Sequence, residues 1–130
     1  MSTLKVGTIQ NTSAAHSSTP EEIAQGRAKA WVNFNGTGTV AIRDSFNVGS
    51  ITDIGVGQYT INFATNMSND DYCVVFQNTL LPHNNITHGV LYINGESSQT
   101  ASGVRVHNCN VNGSAQTIDK NIVCATVFGD

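Results

Sequence analysis

Between Tyr59 and Phe63 large apolar residues alternate strictly with polar ones: Tyr59, Ile61 and Phe63 against Thr60 and Asn62. A period of two puts each set on its own face of a β-strand, so Gln58 to Ala64 predicts a strand with one dry and one wet face. Gly103 to His107 repeats the pattern, which points Val104 and Val106 inward and Arg105 and His107 outward. Three runs are apolar at successive positions: Tyr72 to Gln77, Gly89 to Ile93 and Ile122 to Phe128. Such runs predict central strands covered on both sides. Ala28 to Phe34, Thr39 to Asp44 and Phe46 to Thr52 complete the set, the last weakened by Gly49. Asn35-Gly36-Thr37-Gly38, Asn94-Gly95 and Asn112-Gly113 supply turn chemistry between them. The expectation is an all-β chain built as an antiparallel β-sandwich or jelly-roll.

Upstream of Ala28 the pattern changes. Residues 1–18 offer only Leu4, Val6 and Ile9 as sizeable apolar groups, followed by a polar stretch from Asn11 to Ser18. So few apolar side chains cannot offset the entropy of ordering the segment by itself, so it reads as an extended N-terminal arm, mobile or ordered against another chain. Residues 19–27 carry the one helix signal. Thr19 fits the N-cap and Glu22 its capping-box partner, Pro20 fits the first helical position, and Gly26 fits the end. The helix is one or two turns, too short to be stable alone. Residues 28–130 form the β domain.

Composition narrows the function. Only 12% of the 130 residues are charged, the formal net charge is −3, and 39% are hydrophobic; the isoelectric point is near 5.7. Disorder needs low hydrophobicity with high net charge, which this chain lacks. No Lys/Arg cluster exists to neutralise phosphates, so nucleic acid is not an expected partner. No apolar run approaches the roughly 20 residues of a membrane-spanning helix, and Met1 to Gln10 does not read as a secretory signal. The three cysteines, Cys73, Cys109 and Cys124, are an odd number and read as reduced thiols of a chain made in a cytoplasm. Cys73 and Cys124 lie in apolar runs and are expected to be buried small hydrophobes.

Candidate chemistry is sparse. His83 and His88 share one loop and would become three-fold ligand sets on a trimer axis, but no carboxylate neighbours them, and a solvated loop is the simpler reading. His107 and Cys109, two apart, share a strand face but make a weak zinc signal. Asp70-Asp71 suits Ca²⁺ or acid–base chemistry, or more simply a polar turn before a buried strand. There is no phosphate-binding glycine loop and no serine nucleophile elbow. No catalytic, cofactor or metal residue is therefore assigned, and the chain is not expected to be an enzyme. Phe34, Tyr59, Ile61 and Phe63, with Trp31, are expected in the core or at an inter-subunit contact; for Trp31 the other reading is a ligand platform. Loops rich in Asn, Ser and Thr suit sugar recognition through directional hydrogen bonds. Their candidate residues are His83, Asn84, Asn85, His88, Asn94, Glu96, Asn110 and Asn112.

One stretch is recognisable. Gln25-Gly26-Arg27-Ala28-Lys29-Ala30-Trp31-Val32-Asn33-Phe34-Asn35-Gly36-Thr37-Gly38, continuing into Ile42-Arg43-Asp44-Ser45-Phe46-Asn47-Val48, resembles a module of bacteriophage virion proteins of the tail fibre type. The opening Leu4 to Ser13 and the Thr19-Pro20-Glu21-Glu22-Ile23 segment are similar to the start of such proteins. The likeness runs from Leu4 to Phe63; beyond that only the style persists. It implies a virion structural protein, made in the host bacterial cytoplasm and homotrimeric, with other virion proteins as partners; the host surface glycan is the partner that the polar loops suggest. The resemblance does not imply an enzyme and supplies no catalytic residues; on the residues themselves, no cofactor and no membrane insertion are expected. Full tail fibres carry a long repetitive shaft, which this chain lacks, so the expectation is a short tip or adaptor that contacts the host, or else a trimeric capsid decoration protein.

Overall fold

The computed structural model describes residues 2–13, 17–78, 89–93, 95, 98–111 and 115–129. In the arm, β1 (Ile9–Gln10) and β2 (Ser17–Ser18) pair as a short antiparallel ribbon, Ile9 opposite Ser18. Leu4 is 85% exposed, and Val6 and Ile9 are exposed too. The described residues of the arm therefore add nothing to the core of its own body. Helix α1 (Pro20–Gly26) begins as the capping box requires: Glu22 N donates to Thr19 Oγ1 at 3.2 Å and Thr19 N to Glu22 Oε2 at 2.8 Å. The helix ends at Gly26, as expected. Arg27 leaves the helix in an extended conformation, φ −88° and ψ 134°, and leads directly to the first body strand.

That body is built from β3 (Ala30–Asn35), β4 (Ala41–Phe46), β5 (Val48–Gly55), β6 (Gln58–Phe63), β7 (Cys73–Asn78), β8 (Gly89–Ile93), β9 (Gln99–Thr100), β10 (Gly103–Val111), β11 (Ala115–Thr117) and β12 (Val123–Phe128). One sheet has the order β4-β3-β12-β7. The other is organised on β10, with all pairings antiparallel. His107 of β10 pairs with Gln58 of β6 and with Tyr92 of β8. A strand has only two edges, so β6 and β8 flank β10, and β5 lies beyond β6.

The sheets stack as a β-sandwich. Ala30, Val32 and Phe34 of β3 and Val123, Ala125 and Val127 of β12 face Tyr59, Ile61 and Phe63 of β6 and Val104 and Val106 of β10 in one buried cluster. Period-two alternation places each of these sets on a single face. Phe34, Tyr59, Ile61 and Phe63 therefore take the core positions expected of them. Trp31 does not: with Ala30 and Val32 inside, it points outward and is half-buried.

Two other expectations are corrected. The β7 strand is not central but the edge of its sheet, and Val75 on its outer side is 55% exposed. An apolar run on both faces cannot distinguish a covered strand from an edge strand whose outer face is bare. His107 is not outward and wet but 6% exposed. From His107 to Cys109 the strand is buried on both faces, with Asn108 at 0% and Cys109 at 4% exposure.

Strand directions define two poles. The arm and helix enter at the start of β3, where Lys29 N donates to Val127 O at 2.8 Å. At this arm pole Asn47 joins β4 to β5 with φ 54°, a left-handed conformation that Asn tolerates. Its Nδ2 donates to the Lys29 and Thr65 carbonyls at 3.1 Å each, and its Oδ1 accepts from Thr65 N at 2.8 Å. Tyr72 closes the same pole. Its ring meets Phe63 edge-on at 5.6 Å, and its hydroxyl lies 2.9 Å from Gly103 O and 3.0 Å from Thr100 O. Burial pushes that phenol up to about 12.

Candidate functional site

The opposite pole holds a group of buried polar side chains, Asn108 and Lys120 among them. Tyr59 anchors it: 0% exposed, with its ring edge-on to Phe34 at 5.1 Å. Alternation sends the side chain into the core, and its length carries the hydroxyl out to the end of the sandwich. There the oxygen lies 2.8 Å from Gly36 O and 2.8 Å from Asp119 Oδ1. The single phenolic proton is shared between the two acceptors. Asp119 Oδ1 also accepts from Gly57 N at 2.7 Å. The phenol is raised above its usual range by burial first and the Asp119 carboxylate second.

Asn108 extends the cluster. It follows Val104 and Val106 at the inward parity of β10, but it is polar, so each amide group needs a partner. Its Nδ2 donates to Ile118 O at 2.9 Å and its Oδ1 accepts from Asn78 Nδ2 at 2.8 Å. Its backbone pairs with Gly57 O at 2.7 Å and Ile118 N at 2.9 Å. Lys120 is 1% exposed, its carbonyl accepts from Gly36 N at 2.9 Å, and burial lowers its ammonium below the usual range. The cluster ties the β3–β4 turn, the β5–β6 turn, the end of β7 and the segment before β12 into one clamp.

Asn78 and Gly89 flank residues 79–88 in the chain, and Val111 and Ala115 flank residues 112–114; these four flanking residues lie at this pole. His83, Asn84, Asn85, His88 and Asn112 lie outside the described residues, as do Asn94 and Glu96. Asn110 is in β10, paired with Gln116 and Gly89. Asn94 follows Ile93, which pairs with Val106 toward the arm pole. The described ends of these segments therefore divide: Asn78, Gly89, Val111 and Ala115 lie at the loop pole, and Ile93 lies toward the arm pole.

Other candidates resolve simply. Asp71 N donates to Asn69 Oδ1 at 2.8 Å and Gln99 Nε2 to Asp70 O at 2.9 Å, so Asp70-Asp71 is a hydrogen-bonded turn ahead of β7. Gln99 Nε2 also reaches Tyr72 O. Among the described residues no three His, Cys, Asp or Glu side chains converge. His107 and Cys109 do share a face of β10, both buried. Asn108, Asp119, Lys120 and Gly57 were not singled out by sequence reasoning, because nothing in their flanking residues marks a polar side chain or a glycine as buried by a distant segment.

Burial first and Arg105 second hold the His107 imidazole below its ordinary value. The unfolded chain then binds a proton at this site more readily than the folded one. Stability from this group is present above about pH 6.5 and is lost as pH falls below it. Urea unfolding between pH 7.5 and 5.5 should show that loss, and His107→Gln should flatten it; an unchanged slope would contradict the assignment.

All three cysteines are free thiols. Cys73 is exposed rather than buried as expected, because it lies on the outer side of an edge strand; Cys124 is half-buried and Cys109 buried. Burial also pushes the Cys124 thiol up, although Arg43 lowers it. In the isolated subunit at pH 7.5 a thiol-disulfide reagent should modify Cys73 first, Cys124 more slowly and Cys109 last. Denaturation without reductant should release all three, and fewer would reveal a disulfide. Compared with protein-family models, curated proteins and solved structures, the chain matches none of them.

Proposed function

We propose that the chain is a structural component of a bacteriophage virion, a trimeric tail fibre or tip module that contacts the host surface. The observation that carries this reading is the division of the molecule between its poles. The arm, with Leu4, Val6 and Ile9 exposed, joins the body at one end, and Asn78, Gly89, Val111 and Ala115, which flank the candidate recognition segments, lie at the other beside the hydrogen-bonded clamp. Assembly at one end and recognition at the other is what a tip module requires. The resemblance of Gln25 to Val48 to tail fibre modules supports the same reading. The partner class is a host surface glycan, bound through amide and hydroxyl groups.

A second reading, a trimeric capsid decoration protein, draws on the arm alone: an extended apolar segment with Leu4 85% exposed suits a shell surface as well as a tail. Labelling the chain in intact particles distinguishes the two by position, tail tip or head. Purified chain should scatter light as a particle of about 41 kDa, three times 13.8 kDa, with closed three-fold symmetry. Deleting residues 1–18 should weaken that assembly and leave the β body's melting transition in place. A 13.8 kDa particle at micromolar concentration, unchanged by the deletion, would count against the trimer.

A further inference from the structure

We propose that the outer face of the β4-β3-β12-β7 sheet, at its arm-pole end, seats the N-terminal arm (residues 2–10) of a second copy of this chain. The inference rests on the homotrimer proposed above and identifies the surface that makes it. Strand registers bring Phe46, Trp31, Thr126 and Val75 into one row across all four strands, and Phe128 with Cys73 into the next. Phe46 is 54% exposed and Val75 55%. None of the six residues is charged. The outer face of the other sheet differs. There Asn62 Nδ2 donates to Thr52 Oγ1 at 2.9 Å and to Ser50 Oγ at 3.1 Å, a polar ladder suited to water. Phe46, Trp31, Val75 and Phe128, with only the uncharged Thr126 and Cys73 among them, make a largely apolar band on one outer face of a small domain, which marks an interaction surface.

The arm matches the band in chemistry, length and area. Leu4 and Val6 are two residues apart, so an extended chain puts both on one side and Lys5 on the other, toward water. Lys5 is the single charged side chain between Ser2 and Gln10. Nine extended residues reach about 30 Å, and four strands span about 15 Å, so the arm crosses the band with length to spare. As an extended chain of about 0.9 kDa the arm exposes roughly 1,300 Å². Laying one side down buries about half of that and a similar area of sheet, roughly 1,300 Å² in all, within the range of stable interfaces. The band also adjoins the arm's own root at Lys29, so copies related by a closed rotation each give one arm and take one.

Cys73 stands in the band as an exposed thiol, which allows a direct test. Val6→Cys chains, half of them ¹⁵N-labelled, are mixed through a dissociation step, oxidised with diamide and digested for mass spectrometry. The expected product joins the residue-6 peptide to the Cys73 peptide, with about half of the links of mixed label. Links of one label only would place the arm on its own body and overturn the proposal. Cys73–Cys73 links without 6–73 links would replace it with face-to-face packing. Phe46→Lys with Val75→Lys should lose at least tenfold in assembly affinity while the folded body remains. Light scattering on the same samples separates the failures. A trimer without the 6–73 link overturns the arm's seat alone, and a monomer overturns the trimer with it.

Discussion

Phe34→Ala should lower the unfolding free energy by about 3–5 kcal/mol, the usual loss for a fully buried aromatic. Phe34 is 0% exposed and meets Tyr59 edge-on at 5.1 Å, so its ring is where the two sheets touch at the loop pole. Removal forfeits the transfer energy of the ring and leaves a cavity that two hydrogen-bonded sheets cannot collapse to fill. A domain of this kind is stable by about 5–15 kcal/mol, so the loss is a large fraction of the total. Urea unfolding should show a lower midpoint at an unchanged slope. Phe34→Leu should cost clearly less, since it keeps much of the volume. A loss below about 1 kcal/mol for the alanine would mean that the ring is not a core contact. Because Tyr59 leans on this ring, the alanine variant should also loosen the clamp, visible as faster amide exchange at Gly57 and Asn108.

Gly57→Ala should be comparably damaging for a different reason. Gly57 has φ +66°, and a Cβ there would meet Asn108 O and Ile118 N at 2.5 Å and Ile118 O at 2.8 Å. All three are backbone atoms of the clamp, so none can swing aside. Left-handed strain and overpacking together should cost about 3–5 kcal/mol. Gly38 provides the control. Its φ is +61°, but nothing lies within 4 Å of the position a Cβ would take. Gly38→Ala should therefore cost only the conformational part, about 1–2 kcal/mol. Thermal unfolding of the two variants side by side reads the difference, and equal losses would show that close approach at Gly57 contributes nothing.

Local signals carried far in this chain. Thr19, Pro20 and Glu22 sit within four residues of one another, and the capping box they foretell is present because its atoms are neighbours along the backbone. The alternation at Tyr59, Ile61 and Phe63 fixed both the strand and its inward face, since side chains two apart share a side whatever the fold. Phe34, in a run with large groups on both faces, was correctly placed by size and hydrophobicity. Turn chemistry separated β3 from β4, but it failed at Asn47, where one side chain does the joining and nothing in the flanking residues announces it.

By itself, then, the sequence determined the antiparallel strands, the short helix, the exposed arm and the aromatic core, each a property of residues within a few positions of one another. Only the tertiary structure decided what depends on the far side of a strand. It made β7 an edge and left Cys73 and Val75 bare. It turned Trp31 outward beside Phe46 and buried His107, Asn108 and Lys120. It also brought Tyr59 and Asp119, sixty positions apart, within 2.8 Å. The reason is physical: periodicity records which side chains share a face, whereas the cover on that face comes from segments distant in the chain, and no local pattern encodes their arrival.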